Sequence, residues 1–285
     1  MKHFKKFFII GVLWIIFGST LFAEEYRGAD KTTVGKRTLK SLAAPCSMGT
    51  TITRIAYNNA SSPIWMTGLL WTREDGGASG YEIPKGSGKT SMYAGGMWIA
   101  GTDVNEQIKV AAIKFNGGRN YWPGPLIVDG VRRGTTDAEV CYQWDQHFEI
   151  SRYQVSDFRM WYNATDEERS RDWEGYSIPN IILEWPAHGD VAAGYDYNMA
   201  PWFDNNEDGV YNPADGDYPF YDLDGALPCG TSRELRLPRL YGDATLWWVY
   251  NDRGDVHATP ISEPIGFEIR AQAFEIGRAS CRERV

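Results

Sequence analysis

Between residues 186 and 240 the chain carries Gly, Pro, Asp and Asn at close intervals and almost no apolar period. A stretch of that length inside a compact domain needs something besides an apolar core to order it. The run Asp204-Asn-Asn-Glu-Asp-Gly-Val-Tyr-Asn-Pro-Ala-Asp215 offers a means. It follows the twelve-residue template of calcium loops, in which alternate side chains turn hard oxygen ligands to one point. Asp204, Asn206 and Asp208 take the first, third and fifth places, and Gly209 takes the sixth, where the backbone turns sharply. Val210 would supply a carbonyl oxygen, and Asn212 would ligate directly or through water. Asp215 stands at the twelfth place, where the longer Glu is usual, and Asp217 is the alternative closing ligand.

Neither flank continues as an amphipathic helix. Asn198-Met-Ala-Pro-Trp-Phe203 lies before the loop and Gly216-Asp-Tyr-Pro219 after it. The expectation is therefore a calcium (Ca2+) clip outside a helix–loop–helix setting, structural rather than sensory. The competing reading is a plain Asp/Asn/Gly turn with solvated carboxylates. A second group, Asp222-Leu-Asp-Gly225, reads as a simple turn.

The rest of the chain reads as mainly β, an antiparallel meander or sandwich with long loops and a short helix. Strand-like runs at 51–57, 65–71, 92–100 and 108–115 are separated by turn clusters such as Glu74-Asp-Gly-Gly and Lys85-Gly-Ser-Gly. A further strand is expected at 147–152, and strands at 245–250 and 265–274 close the region. Val155, Phe158, Trp161 and Tyr162 fall at helical spacing. The charged stretch 165–173 reads as a solvated loop.

The compartment is set by the first residues. Lys2, Lys5 and Lys6 precede an uncharged apolar stretch at 7–21, and Leu21-Phe22-Ala23 offers a cleavage site before Glu24. This order predicts a secretory signal peptide over 1–23, removed on export. Residues 24–50 are polar and aperiodic, a flexible lead-in to a β-rich region at 51–275, which is long enough for one unit or two smaller ones. Residues 276–285, with three arginines in ten positions and no turn signal, read as the translation of a sequencing-adapter read-through, so the chain is expected to be a fragment.

Charge and cysteine usage agree with export. The whole chain has 29 basic and 37 acidic residues. Setting aside three lysines in the leader, and three arginines and one glutamate in the tail, leaves 23 and 36, a net charge of −13. Such a surface repels nucleic acid and suits cations. Cys46, Cys141 and Cys229 can pair in an oxidising compartment, and the sequence does not choose among the three single pairings.

Other chemical signals are weaker. Gly86-Ser-Gly-Lys-Thr90 echoes a phosphate loop, but Ile83 stands where the full motif requires Gly, so a hairpin turn is expected. His147, His188 and His257 lack metal-ligand spacing. Asp145 and Glu149 would share a helix face if that segment were helical, a pairing that arises easily by chance among so many acidic residues. The frequent Trp residues are expected in the core. The rival reading is a glycan-binding module or glycoside-active enzyme with a Trp-lined cleft.

Several blocks carry a resemblance. Tyr93-Ala-Gly-Gly-Met-Trp-Ile-Ala-Gly101, Ile108-Lys-Val-Ala-Ala112, Tyr121-Trp-Pro-Gly-Pro125 and Trp185-Pro-Ala-His-Gly189 are four of them. The most specific are the loop from Asp204 to Pro219 and Gly242-Asp-Ala-Thr-Leu-Trp-Trp-Val-Tyr-Asn-Asp252. Together these resemble the N-terminal part of large exported Bacteroidota surface proteins of the type IX secretion class, which end in a C-terminal sorting domain. The resemblance implies a secreted or cell-surface location and a calcium-ordered loop, and it favours Asp217 over Asp215 as the closing ligand. It brings no catalytic residue. The expected role is structural or adhesive and non-catalytic, with a surface glycan or protein as partner.

Overall fold

Eight consecutive residues, Ala244–Asn251, are all buried, and they organise the fold. The computed structural model describes residues 46–114, 117–223, 238–258 and 261–277. The predicted leader, most of the lead-in, Cys229 and residues 278–285 lie outside them. In chain order the strands are β1 (Ile52–Ile55), β2 (Ser62–Trp65), β3 (Tyr81–Glu82), β4 (Thr90–Met92), β5 (Trp98–Thr102), β6 (Ile108–Lys114), β7 (Gly117–Arg119) and β8 (Trp122–Pro123). There follow β9 (Phe148–Ser151), β10 (Trp202–Phe203), β11 (Tyr218–Pro219), β12 (Ala244–Asn251), β13 (His257–Ala258), β14 (Ile261–Ser262) and β15 (Glu268–Glu275). Helices α1 (Ala138–Gln143), α2 (Arg152–Asn163), α3 (Asp166–Asp172) and α4 (Asn180–Leu183) lie between β8 and β10. The fold is mainly β, and the pairings between these strands are antiparallel.

β12 is the central strand. It pairs along its whole length with β15, from Ala244 opposite Glu275 to Asn251 opposite Glu268. Its other edge takes β9 at Ala244–Trp247 and β8 at Tyr250–Asn251. Successive side chains point to opposite faces of a strand, so an apolar run without alternation must bury both. Trp247 and Val249 enter one core with Phe148, Ile150, Val155, Phe158 and Trp185. Leu246, Trp248 and Tyr250 enter another with Ile55, Ile64, Met66, Leu69 and Tyr121. Each such large apolar side chain contributes about 1.5–3 kcal/mol by leaving water.

Helix α2 begins at a capping box. The Ser151 hydroxyl accepts the Gln154 N–H, and the Gln154 side-chain Oε1 accepts the Ser151 N–H at 2.9 Å. Val155 and Phe158 are its buried stripe, with Trp161 and Tyr162 packed against the same core. The stretch expected as a loop at 165–173 is instead helix α3. A second capping box, Thr165 with Glu168, starts it, and none of its residues is buried. Charged residues without an apolar stripe read as loop, but Thr-x-x-Glu is a helix start in its own right.

Two predicted strands shift or split. The run at 65–71 is a strand only to Trp65, because the chain turns at Gly68 (φ +77°), where a side chain would strike the Tyr250 ring. The run at 92–100 breaks between β4 and β5. There Gly95 lies flat on the Trp71 indole, leaving 2.6 Å to any added Cβ. The described part of the stretch 186–240 packs on an apolar core. Ala187, Met199, Ala200, Tyr218, Phe220, Tyr221 and Leu240 all sit in the Trp247 core.

Two further tethers hold the periphery. A disulfide joins Cys46 to Cys141 of α1, so residues 46–50 are attached to the body rather than free. Asp145 reinforces this, its carboxylate accepting from Thr50 N–H (2.8 Å), Thr50 Oγ1 (2.9 Å) and Thr51 N–H (3.1 Å). Buried Asp252, at the end of β12, accepts three consecutive N–H groups, of Ile265, Gly266 and Phe267, at 2.6–2.8 Å. The described residues belong to one compact unit.

Candidate metal centre

The loop at 204–217 is closed at its neck by β10 and β11, with Phe203 opposite Tyr218 and their rings stacked at 4.9 Å. Inside the neck, short polar side chains fold the backbone. The Asp204 carboxylate accepts Asp208 N–H at 3.2 Å and Gly209 N–H at 2.8 Å. Asn206 Oδ1 accepts Asp208 N–H at 3.1 Å, and Asp208 Oδ1 accepts Val210 N–H at 2.7 Å. These are the local turns that Asp and Asn favour, and here they repeat at two-residue intervals. Glu207 (φ +61°) and Gly209 (φ +79°) hold the left-handed conformations that the reversal requires.

Asp217 is the innermost carboxylate and is fully buried. Its two oxygens span the loop, one accepting Asn205 N–H and the other Asn212 N–H, both at 2.8 Å. Burial pushes its carboxyl above the ordinary carboxylate range. The two N–H donors pull the other way, and the neighbouring Asp204 and Asp208 raise it further. Three carboxylates therefore share one field, with the deepest of them cut off from water.

The remaining predicted ligands are placed differently. Asn212 turns its amide away from Asp204, with Oδ1 accepting Ala214 N–H and Nδ2 donating to Asp215 at 2.5 Å. Asp215 is thus engaged with Asn212, and its carbonyl accepts Asn205 Nδ2 at 2.9 Å. Asn206 Nδ2 donates to Asp208 Oδ2 at 2.9 Å. The Val210 side chain is exposed. Among the described residues, no group of three or more His, Cys, Asp or Glu stands close enough together to hold a metal ion. Hydrogen bonds join Asp208 to Asp204 and tie Asp217 across the loop, and Asn212 and Asp215 are paired with each other.

Hard oxygen donors of this kind suit calcium, which takes 6–8 oxygens at about 2.3–2.6 Å in flexible geometry. The oxygens a calcium ion would use, on Asp204, Asn206, Asp208 and Asp217, here accept hydrogen bonds from within the loop.

His188 is a residue that the spacing of the sequence did not reveal. Its Nε2 accepts Tyr211 N–H at 2.8 Å, and its Nδ1 donates to the Tyr197 carbonyl at 3.1 Å. It stacks on Tyr197 at 4.0 Å and meets Trp202 edge-on at 5.1 Å. The Tyr197 hydroxyl in turn donates to the Gly209 carbonyl at 2.5 Å. His188 and Tyr197 thus brace the loop from outside, an arrangement joining residues 23 apart in sequence.

The other candidates separate. Asp145 follows α1 and Glu149 lies on strand β9, so they do not share a helix face. Gly86–Lys89 lies in the exposed turn joining β3 to β4, and Thr90 begins β4. His257 is fully buried between the Val110 and Asp252 carbonyls. His147 packs edge-on against Trp248, and burial lowers its pKa to about 4. Trp65, Trp122, Trp185, Trp247 and Trp248 are buried, and among the described residues Trp98 alone is exposed. Of the Asp222 group, Asp222 pairs with Arg239 at 2.8 Å, while Asp224 and Gly225 lie outside the described residues. No helix among the described residues is long and apolar enough to cross a membrane. The chain matches no protein-family model, and neither curated proteins nor solved structures match it.

Proposed function

We propose that this chain is an exported surface protein, structural or adhesive rather than catalytic, whose 204–217 loop is clipped by calcium. One observation carries the reading. A fully buried carboxylate, Asp217, bonds across the loop beside Asp204 and Asp208. Like charges held together disfavour ionisation, and a divalent cation among them removes that cost. Export is supported by the leader-like N-terminus and by the Cys46–Cys141 disulfide, which suits an oxidising compartment. The packing of most indoles into the two cores supports a non-catalytic role over a Trp-lined glycan cleft. A type IX route to the cell surface rests on the resemblance of the sequence blocks alone.

Calorimetric titration of the purified chain with calcium, repeated with magnesium, tests the reading. One calcium site is expected, with magnesium binding more weakly because it demands near-ideal octahedral geometry. Asp204→Ala and Asp217→Ala should each abolish the calcium heat. Absence of heat from the unaltered protein, or binding that survives both substitutions, would contradict the proposal.

A further inference from the structure

Between β8 and α1 the chain makes a short excursion that carries two adjacent arginines. Ile127 is buried at its base, where it donates to the Thr135 carbonyl at 2.9 Å and accepts Gly134 N–H at 2.6 Å. From Asp129 to Arg133 every residue is exposed, and Val131 is as open as in an isolated peptide. The tip is shaped by exposed polar bonds, from Gly130 N–H to the Asp129 carboxylate at 2.6 Å and from Arg133 N–H to the Gly130 carbonyl at 3.2 Å. Opening such a tip uncovers no apolar core, so it can open without unfolding the body.

Exposed loop tips are where endopeptidases nick folded chains. The side chains here select the class of enzyme. Neither the Arg132 nor the Arg133 guanidinium makes an ion pair or hydrogen bond among the described residues. Arg73, which also lies beside an exposed turn, is paired with Asp75, and the arginines of α2 and α3 are held in helix. Of the two bonds that follow an arginine in the excursion, Arg133–Gly134 is the freer. The Arg132 carbonyl accepts both the Thr135 N–H at 3.1 Å and the Thr135 hydroxyl at 2.6 Å. The Arg133 carbonyl accepts no hydrogen bond among the described residues. An enzyme that cleaves amides must draw the scissile carbonyl onto its own donors. Gly134, at φ +72°, has open space where a Cβ would stand, so the leaving side is unobstructed.

We propose that Arg133–Gly134 is a cleavage site for an arginine-specific endopeptidase. Hydrolysis takes up one water and leaves a carboxylate on Arg133 and an ammonium on Gly134. The product is a two-chain protein rather than two separate pieces. Cys46 and Cys141 stand on opposite sides of the cut and stay bonded. Strand β8 stays paired with β12 across it. Ile55, Met66 and Tyr121 before the cut stay packed with Leu246, Trp248 and Tyr250 after it.

Brief digestion of the purified chain with clostripain, which cuts after arginine, tests the site. N-terminal sequencing should find a new chain beginning at Gly134. On a denaturing gel that fragment should stay with the N-terminal one until reductant is added. Circular dichroism of the nicked protein should match that of the uncut chain. Arg132→Gln with Arg133→Gln should remove this cut, and Arg73→Gln should leave it. Absence of a chain beginning at Gly134 would overturn the proposal, and so would a cut at Arg132–Arg133 in its place. Fragments that part without reductant, or a native spectrum lost on nicking, would overturn the two-chain product.

Discussion

Asp217 and Asn205 stand at opposite ends of the acidic loop, yet the carboxylate of one accepts the backbone N–H of the other at 2.8 Å. This bond closes the loop from inside and places the buried carboxylate beside Asp204 and Asp208. Because the Asp217 carboxyl is raised in the folded chain, chiefly by burial, its contribution has a definite sign. Stability from this group is fully present below the ordinary carboxylate range and is lost as pH rises through the raised value. In chelator, the unaltered protein should therefore carry a component of stability, absent from Asp217→Asn, that declines as pH climbs above the ordinary carboxylate range, and saturating calcium should offset that component. Urea unfolding of both proteins across acid pH, with calcium and with chelator, measures it. Identical pH slopes for the unaltered protein and Asp217→Asn in chelator would contradict the account.

His147 carries the opposite sign. Burial against Trp248 depresses its pKa to about 4. Below its unfolded value of about 6.5 the unfolded chain takes up a proton that the folded chain refuses. The contribution of this ring to stability should fall as pH drops from about 6.5 toward 4, and His147→Phe should flatten that part of the acid limb. An unchanged acid limb in the variant would show that the ring is not held neutral.

The Cys46–Cys141 bridge spans 95 residues. Closing a loop of that length constrains the unfolded chain, and removing a native bridge of this kind costs about 2–5 kcal/mol. Cys46→Ser with Cys141→Ser should lower the melting temperature by that equivalent. Reductant should have the same effect on the unaltered protein and none on the double variant.

Asp252 tests a different kind of tether. With three consecutive N–H groups on one buried carboxylate, Asp252→Ala leaves all three without an acceptor. A loss of about 3 kcal/mol or more is expected. Hydrogen exchange at Ile265, Gly266 and Phe267 should accelerate in the variant before global unfolding. Unchanged protection at these amides would refute the assignment.

Much of the fold was legible because strands announce themselves by composition. Thr245–Tyr250 could hardly be anything but a doubly buried strand, and Val155, Phe158, Trp161 and Tyr162 carry their own period. What escaped was set by contacts distant in sequence. Gly68 and Gly95 end strands because Tyr250 and Trp71 press on them, and neither partner is visible locally. Helix α3 was legible in principle, since Thr165 and Glu168 spell a capping box, but its lack of an apolar stripe hid it. The acidic loop was the clearest part of the candidate site. Its spacing named Asp204 and Asp208, whereas the burial of Asp217 and the bracing by His188 come from tertiary packing that no spacing shows.

The central claim is that a cation orders the 204–217 loop, and thermal unfolding with calcium and with chelator tests it most directly. A ligand that binds only the folded state stabilises it by about 2.7 kcal/mol at a hundred times its dissociation constant. For a chain of this size that corresponds to a rise of roughly 5–10 °C. The account predicts such a rise for the unaltered protein, and its loss in Asp204→Ala and in Asp217→Asn. Equal melting temperatures in calcium and chelator, or a full rise in either variant, would contradict it.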